Sequence, residues 1–310
     1  MIDLTKKRIV VTGAHGFLGS YIVDKLVQRG CTLFGLPRSS QYDLRQQKDV
    51  IRMYDDYQPE VVVHCAAHAG GIGLNREKPA ELFFDNSIMG TLMIHEAAKR
   101  KILKFTQLGT VCSYPKFAPT PFEEKSLWLG YPEETNAPYG IAKKSLLVYG
   151  EACKRQYGLN FISLLPVNLY GPRDHFHLEH GHVIPVLIRR FEEAKLSGAK
   201  SVTLWGTGNA SREFLYVEDA AEAVILATER YNKPDPVNIG TGREIRIHDL
   251  ATLIAKDIGY EGEIVYDSSK PDGQPSRCLE VSKAFEEFGF TAETSFEDGL
   301  RQTIKWYRNQ

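Results

Sequence analysis

The sequence predicts an α/β protein, a doubly wound parallel sheet with a smaller C-terminal lobe, and three observations carry that expectation. Up to about residue 170, short apolar, β-rich runs alternate with stretches of helical period, the pattern of parallel strands covered by helices on both faces. A glycine-punctuated turn, Gly13–Gly19, joins the first strand to the first helix. Beyond Gly171 the alternation weakens, and a polar, histidine-rich stretch, His175–His182, follows. Residues 1–170 are therefore expected to form the sheet domain and 171–310 mainly the second lobe, with segments near 214–240 packing back on the first domain.

Arg8–Thr12 is an apolar strand, and Phe17–Gln28 sets Leu18, Ile22, Leu26 and Val27 at helical spacing behind the glycine turn. Thr32–Leu36 reads as the second strand, Gln46–Tyr57 as a helix, and Val61–Ala66 as a strand apolar enough to be buried on both faces. A helix over Phe83–Lys99 leads to a strand at Lys104–Gly109. Ser113–Asn136, rich in Pro, Glu and Tyr, breaks the rhythm; so long an irregular stretch is usually functional, and it is expected over the substrate site. Asn136 as a cap and Pro138 in the first turn start a helix that runs to about Tyr157, and Phe161–Pro166 is the next strand. In the second lobe Val183–Lys195 has helical period and Val202–Trp205 reads as a strand. Glu218–Ala227 and Pro236–Ile239 supply a helix and a strand that can return to the first domain.

Composition removes several classes of function. Charges nearly cancel, 38 Lys and Arg against 39 Asp and Glu, so no overall field favours nucleic acid or an anionic membrane. An anionic ligand then needs a local basic pocket. No apolar run reaches the ~18 residues of a membrane span, and Met1–Arg8 leads into a strand pattern rather than a signal peptide, so a cytoplasmic protein is expected. The cysteines, Cys31, Cys65, Cys112, Cys153 and Cys278, are scattered, with no CxxC pair and no histidine at zinc-ligand spacing; a metal site is not expected.

The turn Gly13-Ala14-His15-Gly16-Phe17-Leu18-Gly19 has the chemistry of a Rossmann-type phosphate site. Glycine permits the tight bend and a close approach of backbone to a pyrophosphate, and the N–H groups opening the helix face its charge. About 20 residues on, where an acid would bind the ribose hydroxyls of NAD, the chain reads Phe34-Gly35-Leu36-Pro37-Arg38. With no acid and a guanidinium suited to a 2′-phosphate, NADP(H) is the expected cofactor. Ala66-Ala67-His68, at the end of a strand, offers small residues where a dinucleotide passes close.

Tyr139-Gly140-Ile141-Ala142-Lys143 places a phenol and an ammonium on one helix face. A nearby cation favours phenolate and would bring the phenol toward a useful range for protonating a carbonyl that accepts hydride. The same lysine can hold the nicotinamide ribose. Alone, such a pair is common on solvated helices; behind a nucleotide turn, and one strand after Gly109-Thr110-Val111-Cys112, it becomes specific.

This combination resembles the extended short-chain dehydrogenase/reductases and, more narrowly, the GDP-L-fucose synthase family of 3,5-epimerase-4-reductases. Matching stretches cover almost the whole chain: His68–Gly73, Gly109–Pro115, Tyr131–Tyr139, Pro166–Pro172, His182–Pro185, Trp205–Gly208, Ser211–Leu215 and Lys270–Gly273. The glycine turn and the Tyr/Lys pair mark only the superfamily; the Cys112 and His182 segments narrow it. The resemblance implies a Rossmann-type doubly wound sheet with a smaller C-terminal substrate-binding lobe, NADP(H), a GDP-linked 4-keto-sugar as substrate and a homodimer built on the helices holding Phe83–Lys99 and Tyr139. It also implies that Leu108, Gly109, Pro166, Val167, Asn168, Leu169 and His182 line the cofactor.

In that chemistry a C4 ketone acidifies the hydrogens on C3 and C5, and two side chains exchange protons on the two faces of the ring. The resemblance assigns these to Cys112 and His182, and C4 reduction to Thr110, Tyr139 and Lys143. Taken in isolation, Cys112 reads as a small buried residue and His182 as a polar residue at a helix start. Arg190 and Arg212 are implied for the diphosphate, Trp205 for the base or sugar and Asp272 for the nucleotide ribose; a surface arginine, a core aromatic and a turn-forming Pro-Asp-Gly are the plainer readings of Arg190, Trp205 and Asp272. The chain departs from the family at Thr110, where serine is usual, and in Asp174–His180, where asparagine usually replaces His175. An enzyme acting on another GDP-4-keto sugar, such as a 6-deoxy-heptose, and a non-catalytic NADP(H) sensor are the rival readings. Thr110, Tyr139 and Lys143 speak against the sensor, which needs no proton relay.

Overall fold

The computed structural model describes residues 1–270 and 272–310; Pro271, part of the matched Lys270–Gly273 stretch, lies outside them. In chain order the strands are β1 (Ile9–Thr12), β2 (Phe34–Gly35), β3 (Val61–His64), β4 (Lys104–Leu108), β5 (Phe161–Pro166), β6 (Asn168–Tyr170), β7 (Ser201–Trp205), β8 (Ser211–Tyr216), β9 (Val237–Ile239), β10 (Glu244–Arg246) and β11 (Glu263–Asp267). The helices are α1 (Phe17–Gln28), α2 (Gln47–Tyr57), α3 (Ile72–Glu77), α4 (Pro79–Lys99), α5 (Ala137–Tyr157), α6 (Val183–Ser197), α7 (Val217–Arg230), α8 (Ile247–Ile258), α9 (Ser282–Phe288) and α10 (Phe296–Arg308).

Six strands make one parallel sheet in the order β2-β1-β3-β4-β5-β9. The chain runs outward from β1 to β2 and then in the opposite direction from β3, so a crevice opens at the strand ends between β1 and β3. Helices α1, α7 and α9 pack on one face and α2, α4 and α5 on the other. Covered on both sides, Val61, Val62 and Val63 are at most 3% exposed, each burial contributing about 1.5–3 kcal/mol. Gly150 lets the Phe161 ring press directly against α5, since a Cβ there would overlap it. This core takes in Leu215, Val224 and Val237 from far down the chain.

A second core, with Ile188, Phe191, Leu250, Ile254 and Leu300 fully or almost fully buried, sits between α6, α8 and α10. Two small sheets flank it: β10-β8-β6, with β8 and β10 antiparallel, and β7-β11, parallel. Among the described residues no helix is long and apolar enough to cross a membrane.

Several boundaries differ from the sequence expectation for local reasons. β2 shrinks to two residues because it is an edge strand whose approach, Thr32 and Leu33, is exposed. α4 starts at Pro79 rather than Phe83, proline being suited to a first turn, and the short α3 before it carries too few apolar residues to announce itself. β6, only three residues long, and β8, which pairs with it, also escaped the sequence.

Candidate active site

At the crevice lies a cleft of about 990 Å³, lined by strand ends of the large sheet on one side and by the second lobe on the other. Its floor is the glycine turn. Gly13 has φ +70°, a conformation open to glycine, and a Cβ there would stand 2.8 Å from the Ala66 nitrogen. A Cβ on Gly19 would overlap the Gly13 carbonyl, so this residue sets how tightly α1 seats behind the turn. Gly16 begins α1 without a side-chain cap, leaving the first N–H groups to face the cleft. The turn therefore fits a pyrophosphate. Gly19→Ala is expected to lower Tm and weaken dinucleotide binding about tenfold or more, read by fluorescence titration with the reduced cofactor.

Beyond the turn, Arg38, Ser39 and Ser40 are exposed at the cleft's end. The nearest acid along the chain, Asp43, is held by Arg45 through Nε at 2.9 Å and Nη2 at 3.1 Å, which leaves Arg38 to meet an anion. His68 is fixed from two directions: Asn86 bonds its backbone N–H and carbonyl at 3.2 and 2.8 Å, and Asp85 lies 2.9 Å from Nδ1.

The end of β4 carries the reacting groups. The Thr110 hydroxyl accepts from the Cys112 N–H at 3.1 Å, and the Ser113 hydroxyl donates to the Gly140 carbonyl at 2.9 Å. A Cβ on Gly140 would overlap the Cys112 carbonyl, so the glycine beside Tyr139 is what lets α5 close on the cysteine loop. Tyr139, Lys143, Thr110 and Cys112 all line the cleft. Their electrostatics differ from the sequence expectation. Burial, with a further push from Cys112, holds the Tyr139 phenol well above its ordinary value, against a lowering hydrogen bond from Thr110. Lys143 does not reverse this, because its Nζ stands 6.0 Å from the centre of the ring. Burial brings Lys143 itself down to about 8, offset in part by Cys65. Behind it His64 bonds Thr12 at 2.7 Å and is driven down to about 3 by burial, so it adds no cation to the floor.

The loop before α6 also lines the cleft. His182 is the first-turn flank of α6, yet its side chain makes no capping bond, and it lines the cleft 44% exposed. Burial alone would lower its pKa, but the Asp174 carboxylate, 3.9 Å from Nδ1, outweighs it and the net direction is upward. The imidazolium thus persists to higher pH than in an ordinary histidine.

Above these groups the second lobe gathers cations. Arg212 donates to the Asp272 carbonyl at 3.0 Å, and burial together with the neighbouring Arg277 lowers it to about 9. Arg190 bonds the Thr203 carbonyl at 2.9 Å and is also lowered by burial. Asp272 accepts from the Thr207 N–H and hydroxyl at 2.7 and 2.8 Å, so its carboxylate ties two loops of the lobe together at the cleft edge. The Trp205 ring is 43% exposed there, under the Lys270 ammonium at 5.7 Å. Glu213, fully buried, accepts from the N–H groups of Leu279 and Gly242 at 2.6 and 2.8 Å and anchors the strand that presents Arg212.

Every residue singled out from the sequence lines this cleft except Ala14, which is 4% exposed beneath the turn. Three more residues, given no site role from the sequence, join the site in the fold. Arg277, 165 positions from Cys112, sends Nη1 to within 3.5 Å of its Sγ. Asn136, expected to cap α5, instead donates to Glu133 at 2.5 Å and turns Oδ1 toward the same sulfur, 3.8 Å away. Asp174 backs His182. For Asn136 the spacing to Tyr139 was a usable signal; for Arg277 no local signal existed.

The family model described as the NAD dependent epimerase/dehydratase family matches residues 9–240. GDP-L-fucose synthase 1 of Arabidopsis thaliana is 42% identical over 97% of this chain and 93% of its own. Among solved structures, a GDP-6-OMe-4-keto-L-xylo-heptose reductase from C. jejuni superposes with a TM-score of 0.92 at 28% identity, covering 99% of both chains. A GDP-L-fucose synthetase from Naegleria fowleri bound to NADP does so at 0.89 and 25%, covering 100% of this chain and 96% of that one.

Proposed function

The chain belongs to the NAD dependent epimerase/dehydratase family, and on that premise we propose that it converts GDP-4-keto-6-deoxy-D-mannose to GDP-L-fucose, epimerising C3 and C5 and reducing C4 with NADPH. The observation that carries this reading is one cleft lined by Cys112, His182 and Tyr139 together with the half-buried Arg190 and Arg212 and the buried Arg277. A plain reductase needs one proton donor; two further acid–base groups in the same cleft suit removal and return of protons at ring carbons. Arg190, Arg212 and Arg277 are the groups to grip the nucleotide diphosphate, with Trp205 and Asp272 toward the nucleoside.

In the proposed cycle the substrate's C4 ketone acidifies C3 and C5. Cys112 and His182 exchange protons there, one taking from a carbon and the other returning to the opposite face. The Thr110 hydroxyl and the Tyr139 phenol bond the keto oxygen. The raised Tyr139 is neutral at physiological pH and so is ready to donate its proton to the C4 alkoxide. Lys143, brought down to about 8, remains largely protonated at neutral pH and holds the nicotinamide ribose. When bound, the reduced nicotinamide supplies the hydride. Gly13, Gly16 and Gly19 cradle its pyrophosphate, and Arg38 with Ser39 its 2′-phosphate. Arg38→Asp is expected to reduce the preference for NADPH over NADH by about 10- to 100-fold in kcat/KM, measured with both cofactors.

The test of the reading is NADPH oxidation with GDP-4-keto-6-deoxy-D-mannose in deuterated water, followed by NMR of the product. Deuterium at C3 and C5 supports it; turnover without deuterium makes the protein a 4-reductase. The likeness to the C. jejuni heptose reductase favours, as a second reading, a GDP-4-keto-heptose, to which absence of turnover on the deoxyhexose would point. A homodimer through the outer faces of α4 and α5, where Phe83, Phe84 and Val148 are exposed, belongs to the same proposal.

A further inference from the structure

The loop ahead of α6 does more than carry His182 to the cleft: it also brings back a carboxylate behind it. The Asp174 side chain is 1% exposed, with Oδ1 lying 3.9 Å from His182 Nδ1 and accepting from the His175 N–H at 2.7 Å. Its other oxygen, Oδ2, is buried and has no hydrogen-bond partner among the described residues. A sealed carboxylate with an unused oxygen beside a half-exposed imidazole is an unusual expense for a surface loop, since buried acceptors are nearly always paired.

The rest of the loop is pinned so that this carboxylate cannot drift. The Gly71 N–H donates to the His180 carbonyl at 2.7 Å, and Glu77 meets His180 Nε2 at 2.8 Å. A Cβ on Gly71 or Gly73 would overlap the carbonyls of Gly181 and Glu179, so the glycines let the two segments lie in direct contact. Within the loop, the His177 ring accepts from the N–H groups of Glu179 and His180 at 3.3 and 3.2 Å. That backbone role accounts for one of the loop's additional histidines.

Resting on the epimerase reading above, we propose that Asp174 is the positioning residue of His182, holding the Nδ1–H tautomer and leaving Nε2 to exchange a proton with a ring carbon of the substrate. The 3.9 Å separation closes by a small rotation of the ring, as such contacts commonly tighten when substrate arrives. In the step itself Nε2 either gives its proton to the substrate carbanion or takes one from the C–H bond, whose electron pair passes into the enolate. The imidazolium present before or after that transfer is stabilised by Asp174. Other titratable groups lining the cleft include Cys112 after β4, Tyr139 and Lys143 on α5, His175 and Glu179 on the same loop, Arg190 further along α6, and Arg212, Asp272 and Arg277 of the second lobe. Among the described residues Asp174 is the acid that pairs with His182.

The test is NMR of the free protein labelled with ¹⁵N-histidine, the His182 signal being assigned by its loss in His182→Asn. In the native protein the neutral ring is expected as the Nδ1–H tautomer, with a titration midpoint above the ordinary ~6.5; Asp174→Asn is expected to move that midpoint down. It is also expected to move the alkaline limb of solvent-deuterium exchange to lower pH. A native Nε2–H tautomer, or a midpoint unmoved in Asp174→Asn, would overturn the proposal. Should that variant not fold, the native tautomer alone decides. Absence of exchange by the native protein, with the tautomer and midpoint as expected, would overturn the epimerase reading and leave the pairing standing.

Discussion

Tyr139→Phe is expected to lower C4 reduction by about 10²- to 10⁴-fold, or about 3–5 kcal/mol in the barrier, while exchange of the C3 and C5 hydrogens with solvent deuterium persists. The change deletes one oxygen and keeps the ring. Its hydroxyl partner, Thr110, still accepts from the Cys112 N–H, so the loop after β4 keeps its shape and Tm should scarcely move. What disappears is the donor for the C4 alkoxide. Because burial keeps the phenol protonated, the loss should be as large at pH 6 as at pH 8, both lying below the raised pKa. A loss confined to one side of neutrality would mean that ionised Tyr139 carries the step. Single-turnover NADPH oxidation and NMR of the recovered sugar, on the same sample, separate the two activities.

Cys112→Ser is expected to do the reverse, slowing deuterium exchange by about 10²-fold or more while reduction of the unepimerised ketone continues. A hydroxyl gives up its proton far less readily than a thiol. The guanidinium of Arg277 and the amide of Asn136 remain around the shorter side chain, so the pocket's shape is little altered. The product should then be the unepimerised alcohol, recognisable by its ring couplings. Equal loss of exchange and reduction in both variants would sink the division of labour between the two groups.

The two variants act on neighbouring parts of one loop, and Cys112 is itself among the causes that raise Tyr139. The double variant is therefore expected to be non-additive, as for residues that share partners.

The sequence by itself determined the parallel sheet, the glycine turn and the identity of most groups in the cleft. Those signals are local: Val61-Val62-Val63 can be satisfied only between two layers, and Gly13, Gly16 and Gly19 answer to the bend between β1 and α1. The Tyr139 and Lys143 pair was legible because four residues on a helix make one face. Cys112, His182, Arg190 and Arg212 were readable through whole matched stretches, and their spacing said nothing of meeting.

Only the tertiary structure decided that meeting and the state of the groups. Arg277 reaches Cys112 from the far end of the chain, because the segment Gln274–Leu279 is tied back by Gln274 to the carbonyls of Pro115 and Lys116 and by Glu213 to Leu279. Asp174 reaches His182 because Gly71 and Gly73 admit the loop against them. The ionisation of Tyr139 ran opposite to what its neighbour Lys143 promised in the sequence. Spacing along a helix reports which side chains are near each other, whereas a pKa depends on how much water the whole fold removes, and in this cleft that desolvation outweighs the nearby charge.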